Sequence, residues 1–318
     1  MNFKPLNSKE PIAHNSINIS SSVKFLTGAL VLAMTAIGSY SAQAITINGN
    51  FDSSITGLSN AGAVESDINA LLTYYDNEIT TDITVNITFS NMNSGLGASN
   101  TDFYQDTYSD YLAHLTATAS SDAIDTAALA KLTSNPYTGA TVDFSSANGR
   151  AVGLDTPAGE DGHVYLNTGL CFTTHNSPVG GKYDLYSITA HEVDEVLGTS
   201  SGVGGDFQDT DLFRYDGSGN RSFTSSQSVH AYFSVDGTTS IDEYNQYNRT
   251  NGDYGDWIVH NPSQVQDWRG TTGETINPGP GEIGLLDAIG YNMQAVPEPA
   301  PIAVFGLGMV ALLIRRRK

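Results

Sequence analysis

The two most continuous apolar stretches of this chain lie at its ends, so whatever folds between them must do so without either. The first follows a polar lead carrying Lys4, Lys9 and Lys24; it covers residues 25–34 and gives way to small residues ending in Ala42-Gln43-Ala44. A positive lead, a short apolar core and an A-x-A site form a secretory signal peptide, to be removed by signal peptidase. A retained signal anchor is the alternative; the A-x-A site, followed at once by the strand-like Ile45-Thr46-Ile47, favours cleavage and sets the signal at residues 1–44. The second stretch reads Val296-Pro297-Glu298-Pro299, then apolar residues 302–314, then Arg315-Arg316-Arg317-Lys318. As a helix that run reaches roughly 20 Å, short of the ~30 Å hydrocarbon core, and the terminal cations would hold it to the cytoplasmic side.

Pro-Glu-Pro, apolar helix and basic cluster, in that order over residues 297–318, resemble the PEP-CTERM sorting tail of Gram-negative, exopolysaccharide-producing bacteria. The resemblance implies cleavage near Pro297 by an exosortase. It also implies transient anchoring in the inner membrane by a transmembrane helix, and delivery to the cell surface or extracellular matrix. On this reading the membrane is met only through removable terminal segments, and residues 45–296 are the working part.

That segment, about 250 residues, suffices for one large domain or two small lobes around a shared cleft. The whole chain has 14 Lys and Arg against 34 Asp and Glu. Seven of the cations but only Glu10 and Glu298 of the acids lie in the two ends, so the working part is more acidic than the formal net charge of −20. Such a surface repels nucleic acid and anionic lipid, while offering carboxylates to divalent cations. Cys171 is the single cysteine, which excludes an intramolecular disulfide. Its nearest candidate partner, His175, lies in the same expected strand region, where i and i+4 share a face but sit too far apart to bond. Cys171 therefore reads as a bystander thiol.

Along the segment, Ile68, Leu71, Leu72, Tyr75 and Ile79 recur at helical spacing over 64–79, and residues 83–89 alternate as a half-buried strand. A second helical region is expected over 103–132, broken near Ser120-Ser121-Asp122 and closed by Asn135-Pro136. Short strands at 141–144 and 163–166 precede a third helix over 183–197, stopped by Gly198. Beyond it the chain turns rich in Gly, Asp, Asn and Ser, with a short strand within 230–235 and one late helix at 282–289. The expected class is α+β, a helix-and-strand lobe followed by an irregular Gly- and Asp-rich lobe, with the boundary near 198–205.

The third helix carries His191-Glu192-Val193-Asp194-Glu195. At about 100° per residue, His191 and Glu195 lie about 40° apart at one margin of the apolar arc, with Glu192 beside them. An imidazole and a carboxylate one turn apart, next to a second carboxylate, repeat the arrangement by which H-E-x-x-H holds zinc while its Glu activates water. Here Glu195 replaces the second His, and carboxylates are legitimate zinc ligands. The alternative is an ordinary amphipathic helix turning three polar residues to solvent.

The helix and strand order ending in this helix resembles the upper half of zincin metalloproteases, and His191-Glu192-x-x-Glu195-x-x-Gly198 looks like a departure from the metzincin pattern. Asp211-Leu212-Phe213-Arg214-Tyr215, Gly252-Asp253-Tyr254-Gly255-Asp256-Trp257 and Leu286-Asp287-Ala288-Ile289-Gly290-Tyr291 resemble blocks of secreted HExxE-type metalloprotease-like proteins. The resemblance implies a zinc-dependent endopeptidase acting on protein or peptide substrates, with His191 and Glu195 as ligands and Glu192 as general base. Ser201 stands where the metzincin pattern has its third ligand; Asp211 is the expected substitute and His230 the second. The competing class is a non-catalytic matrix or adhesin-type surface protein on a degenerate fold of this kind.

Three other signals carry less. Gly198-Thr199-Ser200-Ser201-Gly202 matches G-x-S-x-G but follows a helix, whereas a nucleophile elbow follows a strand. The Asp-rich loops 206–211 and 253–256 could take calcium, though neither has EF-hand spacing. The aromatics between Tyr232 and Trp268 could stack sugars, but such irregular spacing is more often core.

Overall fold

The computed structural model of the chain describes residues 44–134 and 136–294. The expected signal peptide, apart from Ala44, and the whole sorting tail lie outside the described residues.

The chain begins with strand β1 (Thr46–Phe51), a single turn α1 (Ser53–Thr56) and helix α2 (Ala61–Glu78). Strands β2 (Thr84–Asn91), β3 (Gly97–Thr101) and β4 (Phe103–Thr107) lead to helices α3 (Tyr108–Thr118) and α4 (Ala123–Ser134). Then come β5 (Thr141–Ser145), the short helix α5 (Ser146–Ala151) and β6 (Gly162–Leu166). Strands β7 (Cys171–Phe172) and β8 (Tyr183–Asp184) pair just before helix α6 (Leu185–Leu197). A 3-10 turn (Asp209–Phe213), the small sheet of β9 (Arg214–Tyr215), β10 (Tyr232–Phe233) and β11 (Asp242–Glu243), and helix α7 (Pro280–Ala288) complete an α+β fold.

The main sheet has the order β1-β2-β6-β3. β1, β2 and β6 run parallel, and β3 lies antiparallel to β6 at the edge. The alternation read over 83–89 puts Val85, Ile87 and Phe89 wholly inside. Helices α2 and α6 pack on each other and on this sheet, bringing in Ile68, Leu71 and Tyr75 from one and Val193, Val196 and Leu197 from the other. Burying each such aliphatic side chain contributes about 1.5–3 kcal/mol, so the helix bearing His191 is fixed by its apolar arc.

Helices α2, α6 and α7 and strands β2, β5 and β6 lie where periodicity places them, with ends shifted by a few residues. Two local expectations are corrected. Phe103–Thr107 is not the start of a helix but a strand paired with β5 from Phe103↔Ser145 to Thr107↔Thr141. The helix waits for Thr107, whose hydroxyl caps it by accepting from the Asp110 amide at 3.2 Å. The strand expected through Cys171 breaks after Leu166 into a 3-10 turn, Thr168–Leu170. Burial pushes the Cys171 thiol up to about 12, and His175 turns instead to Asp184 (2.7 Å) and Asn277 (2.9 Å).

A third correction concerns the membrane. Among the described residues no helix is long and apolar enough to cross one. The expected transmembrane helix, and with it transient inner-membrane anchoring, is withdrawn. Even the longest described helix, α2, has 18 residues and carries Glu65, Asp67, Asp76 and Glu78. The tail on which the expectation rested lies outside the described residues.

Candidate metal centre

Helix α6 is bounded by Asp184 and Gly198. Asp184, just before it, is held by His175 and by the Ile276 amide (3.3 Å). Gly198, just after it, sits at φ +124°, which side-chain-bearing residues rarely adopt, and its amide closes on the carbonyls of Asp194 (2.9 Å) and Glu195 (3.1 Å). Between these stops, His191 and Glu195 emerge together at the margin of the buried arc, with side chains 15% and 13% exposed.

A third group meets them from a loop. His191 Nε2 lies 3.9 Å from Glu195 Oε1 and 3.5 Å from Asp256 Oδ1. One ligand atom from each of the three lies within 4.8 Å of the others. Asp256 is placed by its neighbour Trp257, fully buried, whose amide bonds the Gln266 carbonyl (2.8 Å) and whose carbonyl takes the Trp268 amide (3.0 Å). The same paired segment offers the Val265 carbonyl to His191 Nδ1 at 2.9 Å. A carbonyl can only accept, so Nδ1 carries a proton, which leaves Nε2, facing the two carboxylates, as the atom that would bind a metal in place of its own proton. Ser99, on β3, donates to the second oxygen of Glu195 at 2.5 Å. Metal-binding histidines and carboxylates are oriented by such outer partners.

The donor set fits a divalent metal. Ligands at 2.0–2.2 Å from a tetrahedral zinc lie about 3.4 Å apart, close to the two distances from His191 Nε2. Charge points the same way. Burial alone would lower the His191 pKa, yet Asp256, Glu192 and Glu195 together hold it well above the usual imidazole value. Burial, reinforced by Glu195, pushes Glu192 well up, and burial raises Glu195 against the pull of His191 and Ser99. Protons thus neutralise an acidic pocket that a divalent cation would neutralise instead.

Glu192 is 6% exposed and lies against β3. A Cβ on Gly97 would collide with its carboxylate, so only glycine lets the edge strand pass so close. Leu96, Gly97, Ala98 and Ser99 line a cavity of about 290 Å³ together with the trio, Glu192, Trp268 and Ile276. Gly97→Ala is therefore expected to displace the Glu192 carboxylate, a flexible group, while leaving the core intact. Any activity that depends on that carboxylate should fall about tenfold or more for so small a displacement, with the melting temperature nearly unchanged.

Of the residues singled out in the sequence, His191, Glu192 and Glu195 share this cavity and Asp211 does not. Asp211 is buried in the 3-10 turn, where it accepts from Ser201 Oγ (2.5 Å), the Gly202 amide (3.0 Å) and the Gln208 amide (3.1 Å). Those donors occupy most of its acceptor capacity, and the acid that lies with His191 and Glu195 is Asp256. His230 pairs instead with Glu243 and stacks on Tyr247. Among the described residues the loop 206–211 gathers no trio of ligand atoms, whereas the loop 253–256 contributes Asp256 to this one. Ser200 donates to Gln208 (2.8 Å). Tyr244 and Trp257 are core, and Tyr247 is 42% exposed. Asp256 had one signal in the sequence, its place in an acidic Gly-rich block, but nothing local linked that block to His191.

Residues 295–318 match the PEP-CTERM protein-sorting motif, so the sorting signal read from the tail is present. No curated protein and no solved structure matches the chain.

Proposed function

We propose that this chain is a secreted metal-dependent endopeptidase of zincin-like architecture, in which His191, Glu195 and Asp256 hold the metal and Glu192 is the general base. The observation that carries the reading is the convergence of one imidazole and two carboxylates on a common point, with Glu192 beside them on the same helix. A bound divalent metal, zinc for a nitrogen and oxygen set of this size, would act as Lewis acid toward water and the scissile carbonyl.

The protein's own groups supply the rest. Glu192 takes a proton from the attacking water and passes it to the leaving amine, the two-way role of a general base and acid. Ser99 and the Val265 carbonyl fix Glu195 and His191 so that neither has to reorient during the reaction. β3 pairs with β6 on one side only, which leaves its outer edge free to take an extended peptide as an added strand across the cavity. In this reading the segment 198–205 separates the lobe carrying α6 from the one carrying Asp256. The sorting motif supports processing by the exosortase system and a site of action outside the cell.

The full chain should cleave casein, lose that activity when dialysed against a chelator and regain it with one equivalent of zinc. Stoichiometric metal without cleavage would support the non-catalytic surface protein instead, and absence of both sinks the metal reading altogether.

A further inference from the structure

A second cluster of carboxylates lies away from the cavity. Asp122 and Asp125 stand at the start of α4, and Asp287 lies in the last turn of α7, which packs against it. One oxygen from each lies within 4.8 Å of the others. Two atoms bound to one calcium at about 2.4 Å can be at most about 4.8 Å apart, so the three can share one ion.

Acidic clusters are common at helix starts, and Asp122 and Asp125 have local work. Asp122 Oδ1 accepts from the Asp125 amide (2.9 Å) and its Oδ2 from Ser120 Oγ (2.7 Å), while Asp125 Oδ2 accepts from the Ser120 amide (2.5 Å). Asp287 has no such role. It is 4% exposed, and its Oδ1 is buried without a hydrogen-bond partner. It also sits at the carbonyl end of its helix, where the backbone dipole disfavours an anion. A buried carboxylate without a partner, facing two others, is accommodated only by a proton or by a cation.

We propose that Asp122, Asp125 and Asp287 form a second metal site, of the hard-cation class represented by calcium, which ties the start of α4 to the end of α7. The all-oxygen donor set distinguishes it from the His191 centre, since calcium takes carboxylates and water and does not need nitrogen. Burial and the two neighbouring carboxylates push Asp287 up to about 8, so in the absence of a cation a proton offsets part of the charge. The clamp suits a chain with a single cysteine, which has no disulfide to join distant segments. It stands independently of the peptidase reading.

The test is thermal unfolding of the full chain, stripped of metal by chelator and dialysed, with and without calcium chloride. At a hundredfold excess over the dissociation constant, calcium is expected to raise the melting temperature by about 5–10 °C. The same increment is expected in His191→Ala, which leaves this site untouched, and calorimetric titration of that variant should count one calcium per chain. Asp287→Asn should abolish both increment and titration. Should that variant fail to fold, Asp122→Asn, at an exposed position, should weaken calcium binding at least tenfold. No increment in the unaltered chain, or an equal one in Asp287→Asn, overturns the proposal.

Discussion

Replacing Glu192 by glutamine is expected to lower casein cleavage by about a thousandfold while leaving the metal content unchanged. Glutamine preserves the size of the side chain and can still lie against Gly97, so the edge strand and cavity keep their shape. It cannot accept a proton from water. His191 and Glu195 keep their positions through other partners, Val265 and Ser99, and the glutamine amide can still donate to Glu195 as the protonated Glu192 does. The separation of metal content from turnover is the informative part. If Glu192→Gln cleaves as fast as the unaltered chain, Glu192 is not the base, and the helix presents it to the cavity for another reason.

The second large effect concerns the third ligand. Asp256→Ala is expected to weaken zinc binding by at least about a hundredfold, since even outer-sphere partners of a metal contribute 10–100-fold. Titration against a competing chelator measures it. Asp211→Asn is the matched control. It should leave zinc affinity within a few-fold but lower the melting temperature, because the Ser201 hydroxyl and the Gly202 and Gln208 amides would lose an anionic acceptor. Asp211 also lies under the charge of buried Arg214, which donates to the Tyr254 carbonyl at 2.7 Å. Through that link the turn around Asp211 supports the loop that delivers Asp256. Equal zinc loss in both variants would mean the support, not the ligand, is what matters.

What could be read in the sequence follows from range. His191, Glu192 and Glu195 are local: helical periodicity alone sets their relative directions, and the apolar arc sets which side they take. Asp256 is not local. Its approach depends on Trp257 being buried and on pairing between the 256–257 and 266–268 segments, which no spacing rule reveals. Asp211 was the nearer acid along the chain, and backbone amides of its own turn claim it. Strand β3 escaped for a related reason. Gly-Ala-Ser-Asn-Thr has no apolar alternation, because an edge strand over a polar cavity buries little. Phe103–Thr107 reads as a helix start because its aromatics precede a helical run, but antiparallel pairing with β5 overrides that pattern. Helix α5, six residues long, is too short to show a period.

His191, Glu195 and Asp256 are proposed to enclose one metal. Anomalous diffraction at the zinc edge, from crystals of the chain grown with one equivalent of zinc, addresses this most directly. A single strong peak is expected in the cavity, bonded to His191 Nε2 and to one oxygen each of Glu195 and Asp256. A peak liganded by Asp211 or His230, or none within reach of His191, would contradict it.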